Sequence, residues 1–279
     1  MNELALSLSV CSSFEVVSGR VRSPRPHLSN LVERVKIIAH RGASHLAPEN
    51  TLASVNLAWE LGADAVEVDV HLTGDGRIVA IHDTTTGRTG GTQLEVAQTY
   101  SRHLRRLDVG RHKNHDFAGE PIPFLGEVLD TIPPGRHLFI EIKCGSEILP
   151  PLEKVLAPKA RRDQVVLIGF DFDTMRAARK ALPDLPAYWL LDKQLWPYRR
   201  SVVTKARDAG FDGLDVYWSR ATRRLVSAVK DAGLRLYVWT VDDPAVATRL
   251  EAMGVDGITT NRPGWLRHQT GLPHTGAGT

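Results

Sequence analysis

Cysteine is scarce in this chain: two residues in 279, Cys11 and Cys144. Two thiols cannot form a disulfide framework, so a reducing, cytoplasmic setting is the expectation. Long apolar runs are also missing, and nothing approaches the roughly 18 residues a membrane helix needs. The segment 4–10, Leu-Ala-Leu-Ser-Leu-Ser-Val, has the look of a signal-peptide centre, but it lacks a basic flank and Glu3 precedes it. No tandem repeat is visible. Nor is there a block of like charge. The net charge is +3 with a pI near 8.9, and arginine greatly outnumbers lysine. That mild excess suits a small anionic substrate and gives no footprint for nucleic acid.

What is present is a hydrophobic content of 42% over 279 residues, enough for one large core. The chemistry gathers in residues 37–83. Val35, Ile37, Ile38 and Ala39 form an apolar run too short for a helix, and it stops at His40-Arg41-Gly42. This reads as a buried strand with His40 and Arg41 at its C-terminal end, where parallel α/β sheets build their sites. Asn50 or Thr51 then caps a helix whose apolar positions run from Leu52 to Leu61, with Gly62 as its stop. In Ala65–Val70 the residues alternate: Val66, Val68 and Val70 face one way, Glu67 and Asp69 the other. Turned into a barrel, two adjacent acids repel unless a positive group lies between them, and a hard divalent cation is the simplest such group. Thr73-Gly74-Asp75-Gly76 signals a hairpin. Folded about Gly74-Asp75, it pairs Val70 with Val79, Asp69 with Ala80 and Glu67 with His82.

His40-Arg41-Gly42, Pro48-Glu49-Asn50-Thr51, Glu67-x-Asp69, the Asp75-Gly76 turn and His82-Asp83, in this order, resemble the glycerophosphodiester phosphodiesterase family. Each piece alone is weak, and the ordered set is specific. The resemblance implies that Glu67, Asp69 and Glu141 are metal ligands for Mg²⁺ or Ca²⁺, and that His40 and His82 are the catalytic pair. It also implies that residues 83–124 are a capping insertion. The chain departs from the family's usual pattern at Phe124, where Thr is common, and at Asp242 and Asn261, where Asn and Asp are common. The last two bear on the substrate-facing rim.

Beyond the insertion a βα rhythm resumes. Strands are expected at 138–143, 165–170, 187–191, 213–218, 234–241 and 257–260, with helices at 147–157, 173–182, 201–209, 221–232 and 243–253. With the strands at Val35 and Ala65 this makes eight parallel strands. The expected fold is therefore an α/β TIM (β/α)8 barrel at 35–269 with an extra hairpin strand, Arg77–His82, and a polar insertion at 83–124. Residues 1–34 read as a weakly structured leader with a short helix near Leu31-Val32, and 270–279 as a disordered tail.

Glu141 supplies a third inward acid; pairing with Lys143 inside the barrel is its plainer alternative. Phe139 is expected to pack outward with Ile140 and Ile142. Three carboxylates without a His/Cys set argue against structural zinc. Either histidine alone reads equally well as a hydrogen-bonded structural residue; both beside an acid cluster suit general acid–base work. Arg41 and Lys143 suit a phosphate clamp or simple charge balance. Trp239 is a pocket wall or an ordinary core aromatic. Glu49 supports the metal site or a helix N-terminus, and His112-x-x-His115, lacking a third ligand, reads as surface loop. Two acid–base groups at about 10²–10⁴-fold each supply roughly 5–11 kcal/mol. Enzymes supply about 8–23 kcal/mol, so at the upper end a metal and the Arg41/Lys143 clamp must stabilise phosphoryl charge.

The expected activity is metal-dependent hydrolysis of a small-molecule glycerophosphodiester to glycerol phosphate and an alcohol. Two rival readings are a phospholipase D-like hydrolase of lysophospholipids or sphingolipids, which needs a groove for an acyl chain, and a barrel that binds anions without turnover. The oligomeric state is not legible.

Overall fold

The computed structural model describes residues 34–157, 159–193 and 200–272. The expected leader up to residue 33, with its short helix, and the tail segment 273–279 lie outside the described residues.

The described residues contain nine strands: β1 (Lys36–His40), β2 (Ala65–Leu72), β3 (Ile78–Ala80), β4 (His137–Ile142), β5 (Val165–Gly169), β6 (Ala187–Leu191), β7 (Gly213–Tyr217), β8 (Arg235–Trp239) and β9 (Gly257–Thr260). Eight are parallel and run in the order β1-β9-β8-β7-β6-β5-β4-β2. β1 also pairs with β2, Ile38 opposite Ala65 and His40 opposite Glu67, so the ring closes. β3 lies outside it, antiparallel to β2. The fold is a (β/α)8 barrel with one extra strand, as expected.

Among the described residues there are ten α-helices: α1 (Leu52–Glu60), α2 (Gly87–Gly90), α3 (Ser101–Leu104), α4 (Leu125–Asp130), α5 (Leu149–Val155), α6 (Phe172–Ala181), α7 (Arg200–Asp208), α8 (Arg223–Asp231), α9 (Pro244–Met253) and α10 (Pro263–Thr270). α1 begins at Thr51, whose hydroxyl accepts the Ser54 N–H at 3.2 Å while the Ser54 hydroxyl accepts the Thr51 N–H at 3.3 Å. The last helix ends at Thr270 and Leu272 is buried, so the packed fold extends past the point where the tail was expected to start.

Strand alternation divides the core in two. Val66, Val68, Val70, Ile140 and Ile142 face outward and pack with the helices. Ile38, Phe139, Ile168, Tyr188, Leu190 and Tyr237 fill the barrel. Phe139 thus points inward, contrary to expectation, because a period of two forces it onto the face of Glu141. Its ring lies 5.3 Å from that of Tyr237, which stacks on Tyr188 at 5.0 Å. A Cβ on Gly257 would come within 2.4 Å of the Tyr237 ring, so only glycine leaves room for that stack.

The hairpin register differs from the expected one by a residue. Val70 pairs with Ala80, His71 with Val79 and Leu72 with Ile78. The turn is a three-residue loop: Thr73 N–H donates to Arg77 O at 2.9 Å, and Gly76 takes the left-handed conformation at φ +74. Glu67 therefore does not pair with His82; β3 ends at Ala80, and Ile81 N–H bonds Asp69 O at 3.0 Å. The insertion at 83–124 is more than a polar loop. Its Val96, Leu104, Val109 and Ile122 form a small core with Val79 of β3 and Ile81 just after it.

The opposite end of the barrel is tied by Asp64, 2% exposed. Its carboxylate accepts the Ile37 N–H at 2.8 Å and pairs with Arg136 at 3.0 Å and with the buried Arg267 of α10. Removing one member of a buried ion pair costs roughly 3–5 kcal/mol. Asp64→Ala is expected to lower unfolding stability by that amount in urea titrations, and an unshifted midpoint would contradict this role.

Candidate active site

The C-terminal mouth of the barrel opens into a cavity of about 200 Å³ whose lining includes His40, Arg41, Glu67, His82, Glu141 and Lys143. Trp239 lies on its wall, so seven of the eight expected site residues border it. The eighth, Asp69, is fully buried beneath. Acid oxygens of Glu67, Asp69 and Glu141 lie within 4.8 Å of one another. β2 and β4 run parallel with Asp69 opposite Glu141, so the register brings all three acids together.

The turn after β1 is shaped around this group. Arg41 sits at φ 55, and its N–H donates to Glu67 Oε2 at 2.9 Å. Its guanidinium reaches Asp69 Oδ2 at 3.0 Å and Glu49 Oε1 at 2.9 Å. Gly42 follows at φ +80, and a Cβ there would lie 2.5 Å from the Ser54 backbone. Asn50, read from sequence only as a cap, adopts φ 57 and clasps Asp69: its Nδ2 donates to Oδ2 at 2.9 Å, and its Oδ1 accepts the Asp69 N–H at 3.0 Å. Lys143 Nζ lies 2.8 Å from Glu141 Oε1 and 3.6 Å from Asp69 Oδ1. The Lys143 alternative and the ligand reading therefore coexist.

Burial pushes the Glu67 carboxyl well above its ordinary range, and the Asp69 and Glu141 charges add to this. Burial and Asp69 push Glu141 up to about 7, against Lys143. Asp69 stays below its ordinary value: burial raises it, but Arg41 and Lys143 outweigh that. Two cations thus face three acids. Glu67 Oε1 and Asp69 Oδ1 are buried and make no hydrogen bond. A buried carboxylate oxygen without a donor is costly. An oxygen-only donor set of this kind fits a hard divalent cation.

His40 and His82 are both part-buried, and each is oriented through Nδ1. His40 Nδ1 lies 2.8 Å from Asn261 Oδ1. The Asn261 amide is itself set by Asp242, which accepts its Nδ2–H at 2.7 Å and its backbone N–H at 2.8 Å. Burial, then the Arg41 charge, lowers the His40 pKa. His82 Nδ1 lies 2.7 Å from Asp83 Oδ1, and its carbonyl is 3.1 Å from His71 Nε2. The departures at 242 and 261 are thus the support of His40.

Three further groups were missed from sequence. Arg88, in the insertion, bridges Asp83 and Glu49 with contacts of 2.6–2.8 Å. Phe170 stands edge-on to Trp239 at 5.5 Å. Asp215, on β7, is 2% exposed and borders the cavity. Its inward place in the alternation of Gly213–Tyr217 was the available signal. His112 and His115 are exposed, as expected of a surface loop.

A closed barrel with a carboxylate trio and two histidines at its mouth defines a class, and comparison agrees. Residues 40–265 match the glycerophosphoryl diester phosphodiesterase family, and the chain belongs to it. It is 35% identical over 233 residues to the glycerophosphodiester phosphodiesterase of Caldanaerobacter subterraneus, covering 81% of this chain and 94% of the relative. With the Bacillus subtilis glycerophosphodiester phosphodiesterase it shares 28% over 254 residues, covering 83% and 85%. Among solved structures, an Oleispira antarctica phosphodiesterase in complex with the product sn-glycerol-3-phosphate superposes with a TM-score of 0.78 at 28% identity, covering 85% of this chain and 96% of that one.

The Arg88 bridge carries a pH signature. Burial raises Glu49, but Arg88 and Arg41 bring it down to about 2; Arg88 and His82 bring Asp83 down to about 2. Both carboxyls are depressed, so their contribution is complete above their ordinary values of 4.5 and 3.8 and is lost as pH falls toward 2. Arg88 is 46% exposed, which screens the effect. Arg88→Ala should cost roughly 1 kcal/mol at neutral pH. The gap to the parent should narrow on acidification, and a gap independent of pH would contradict the bridge.

Proposed function

We propose that this chain hydrolyses glycerophosphodiesters to glycerol phosphate and an alcohol, with residues 35–269 as the catalytic barrel. The observation that carries the proposal is the meeting, in one cavity, of the carboxylate trio, two oriented imidazoles and two cationic side chains. Glu67, Asp69 and Glu141 would hold the divalent cation, Mg²⁺ or Ca²⁺. When bound, it supplies Lewis-acid polarisation of phosphoryl oxygen and neutralises developing charge.

The protein's own groups account for binding and proton movement. Arg41 and Lys143 stand beside the acids at the mouth and attract the phosphodiester anion. Asn261 Oδ1 only accepts, so His40 Nδ1 carries the proton and Nε2 is the free nitrogen. Burial and Arg41 keep this imidazole neutral, so Nε2 takes the proton of the nucleophile, either water, or the glycerol 2-hydroxyl with water then opening the cyclic phosphate. Asp83 likewise accepts the Nδ1–H of His82, so the proton that His82 gives the departing alcohol is a second one, carried on Nε2. Trp239 walls the cavity.

The cavity, at about 200 Å³, is smaller than the roughly 300–1,000 Å³ of pockets that enclose drug-sized ligands. That suits glycerol phosphate and disfavours the phospholipase D-like reading. The decisive assay incubates the pure protein with glycerophosphocholine and lysophosphatidylcholine, with Mg²⁺, Ca²⁺ or chelator, and identifies the products. Glycerol phosphate should appear from the first and disappear with chelator. His40→Ala should lower kcat by roughly 10²–10⁴-fold, and Glu67→Gln should weaken metal activation. Undiminished turnover in chelator would remove the metal from the reaction.

A further inference from the structure

Among the described residues, Asp215 is the one acid lining the cavity with no assigned work. It lies on β7, four strands from β2 around the ring of eight, hence directly across from Glu67 and Asp69. It is 2% exposed, and its Oδ1 has no hydrogen-bond partner. Its position, inward between the outward Leu214 and Val216, points the side chain into the cavity. The walls of the cavity are otherwise mostly apolar: Ile168, Leu190, Phe170 and the Trp239 ring, whose Nε1 is also buried without a hydrogen-bond partner. A buried carboxyl without a partner costs free energy and is kept where a ligand completes it.

The ligand group can be deduced from charge. Phosphate is drawn to Arg41 and Lys143 on the β1/β4 side and repelled by a carboxyl. What reaches β7 is therefore an uncharged or cationic end of the substrate, and of these the glycerol end is the one every glycerophosphodiester shares. A hydroxyl donates to a carboxylate and accepts from a carboxylic acid, so it satisfies Asp215 in either state.

We propose that Asp215 is a specificity residue that hydrogen-bonds the terminal hydroxyl of the glycerol moiety and selects deacylated glycerophosphodiesters over acylated ones. The proposal rests on the glycerophosphodiester reading above. An acyl ester at that carbon has no hydrogen to donate and brings a chain the cavity cannot hold. Sites built around a substrate hydroxyl discriminate strongly against analogues lacking it, because their own polar group is then stranded.

The test is calorimetric binding to the full chain with saturating Mg²⁺ or Ca²⁺. The probes are glycerol 3-phosphate and propane-1,2-diol 1-phosphate, which lacks only the terminal hydroxyl. The parent protein should bind the second at least about 10-fold more weakly. Asp215→Leu should bring that ratio close to one, and Asp215→Asn, which can still donate and accept, should recover part of it. A parent ratio of one, no binding of glycerol 3-phosphate, or an unchanged ratio in a folded Asp215→Leu would overturn the assignment. If the leucine variant does not fold, the parent ratio decides. Glycerophosphocholine turnover, measured in parallel, separates the two claims. Turnover with a ratio of one rejects Asp215 alone; a large ratio without turnover rejects hydrolysis and leaves Asp215 in place.

Discussion

Three carboxylates buried within 4.8 Å of one another are an electrostatic burden, and much of this structure is arranged to carry it. Arg41 and Lys143 neutralise part of the charge. Asn50 and the Arg41 N–H satisfy individual oxygens. The left-handed conformations of Arg41, Gly42 and Asn50 follow from the same demand: the chain leaving β1 must fold back tightly to aim those donors at β2. Such backbone costs persist only where the surroundings over-determine them. What remains without a hydrogen bond, Glu67 Oε1 and Asp69 Oδ1, is what a hard cation would satisfy.

Around this centre the fold supplies orientation from distant parts of the chain. His40 is held by Asn261 across a separation of 221 residues, and Asn261 is held in turn by Asp242. On the other flank Asp83 orients His82 and is clamped to Glu49 by Arg88. The insertion thus contributes to the mouth through an ion-pair bridge, and its small apolar core anchors that bridge to β3.

Much of this was legible in the sequence, for physical reasons. Barrel strands are buried on both faces, so they appear as short apolar runs, and a charged residue at an inward position stands out. Glu67, Asp69 and Glu141 were found that way. Asp215 obeys the same alternation but stands alone in Gly213–Tyr217, without a motif to draw attention to it. The hairpin register was misplaced by one because Gly74 and Gly76 both suit a turn, and the left-handed preference fell to Gly76. The insertion's core was hidden because its four buried apolar residues, Val96, Leu104, Val109 and Ile122, follow no period and close on Val79 and Ile81 of the hairpin. The Asp242–Asn261–His40 chain is tertiary, and no local pattern encodes it.

The central claim is that the mouth of the barrel is a hard-cation site built by Glu67, Asp69 and Glu141. Crystals grown with Mn²⁺, which takes the same oxygen ligands as Mg²⁺ and scatters anomalously, test it most directly. A single anomalous peak bounded by carboxylate oxygens of these three residues is predicted. A mouth without such a peak, or a peak held by other side chains, would contradict it.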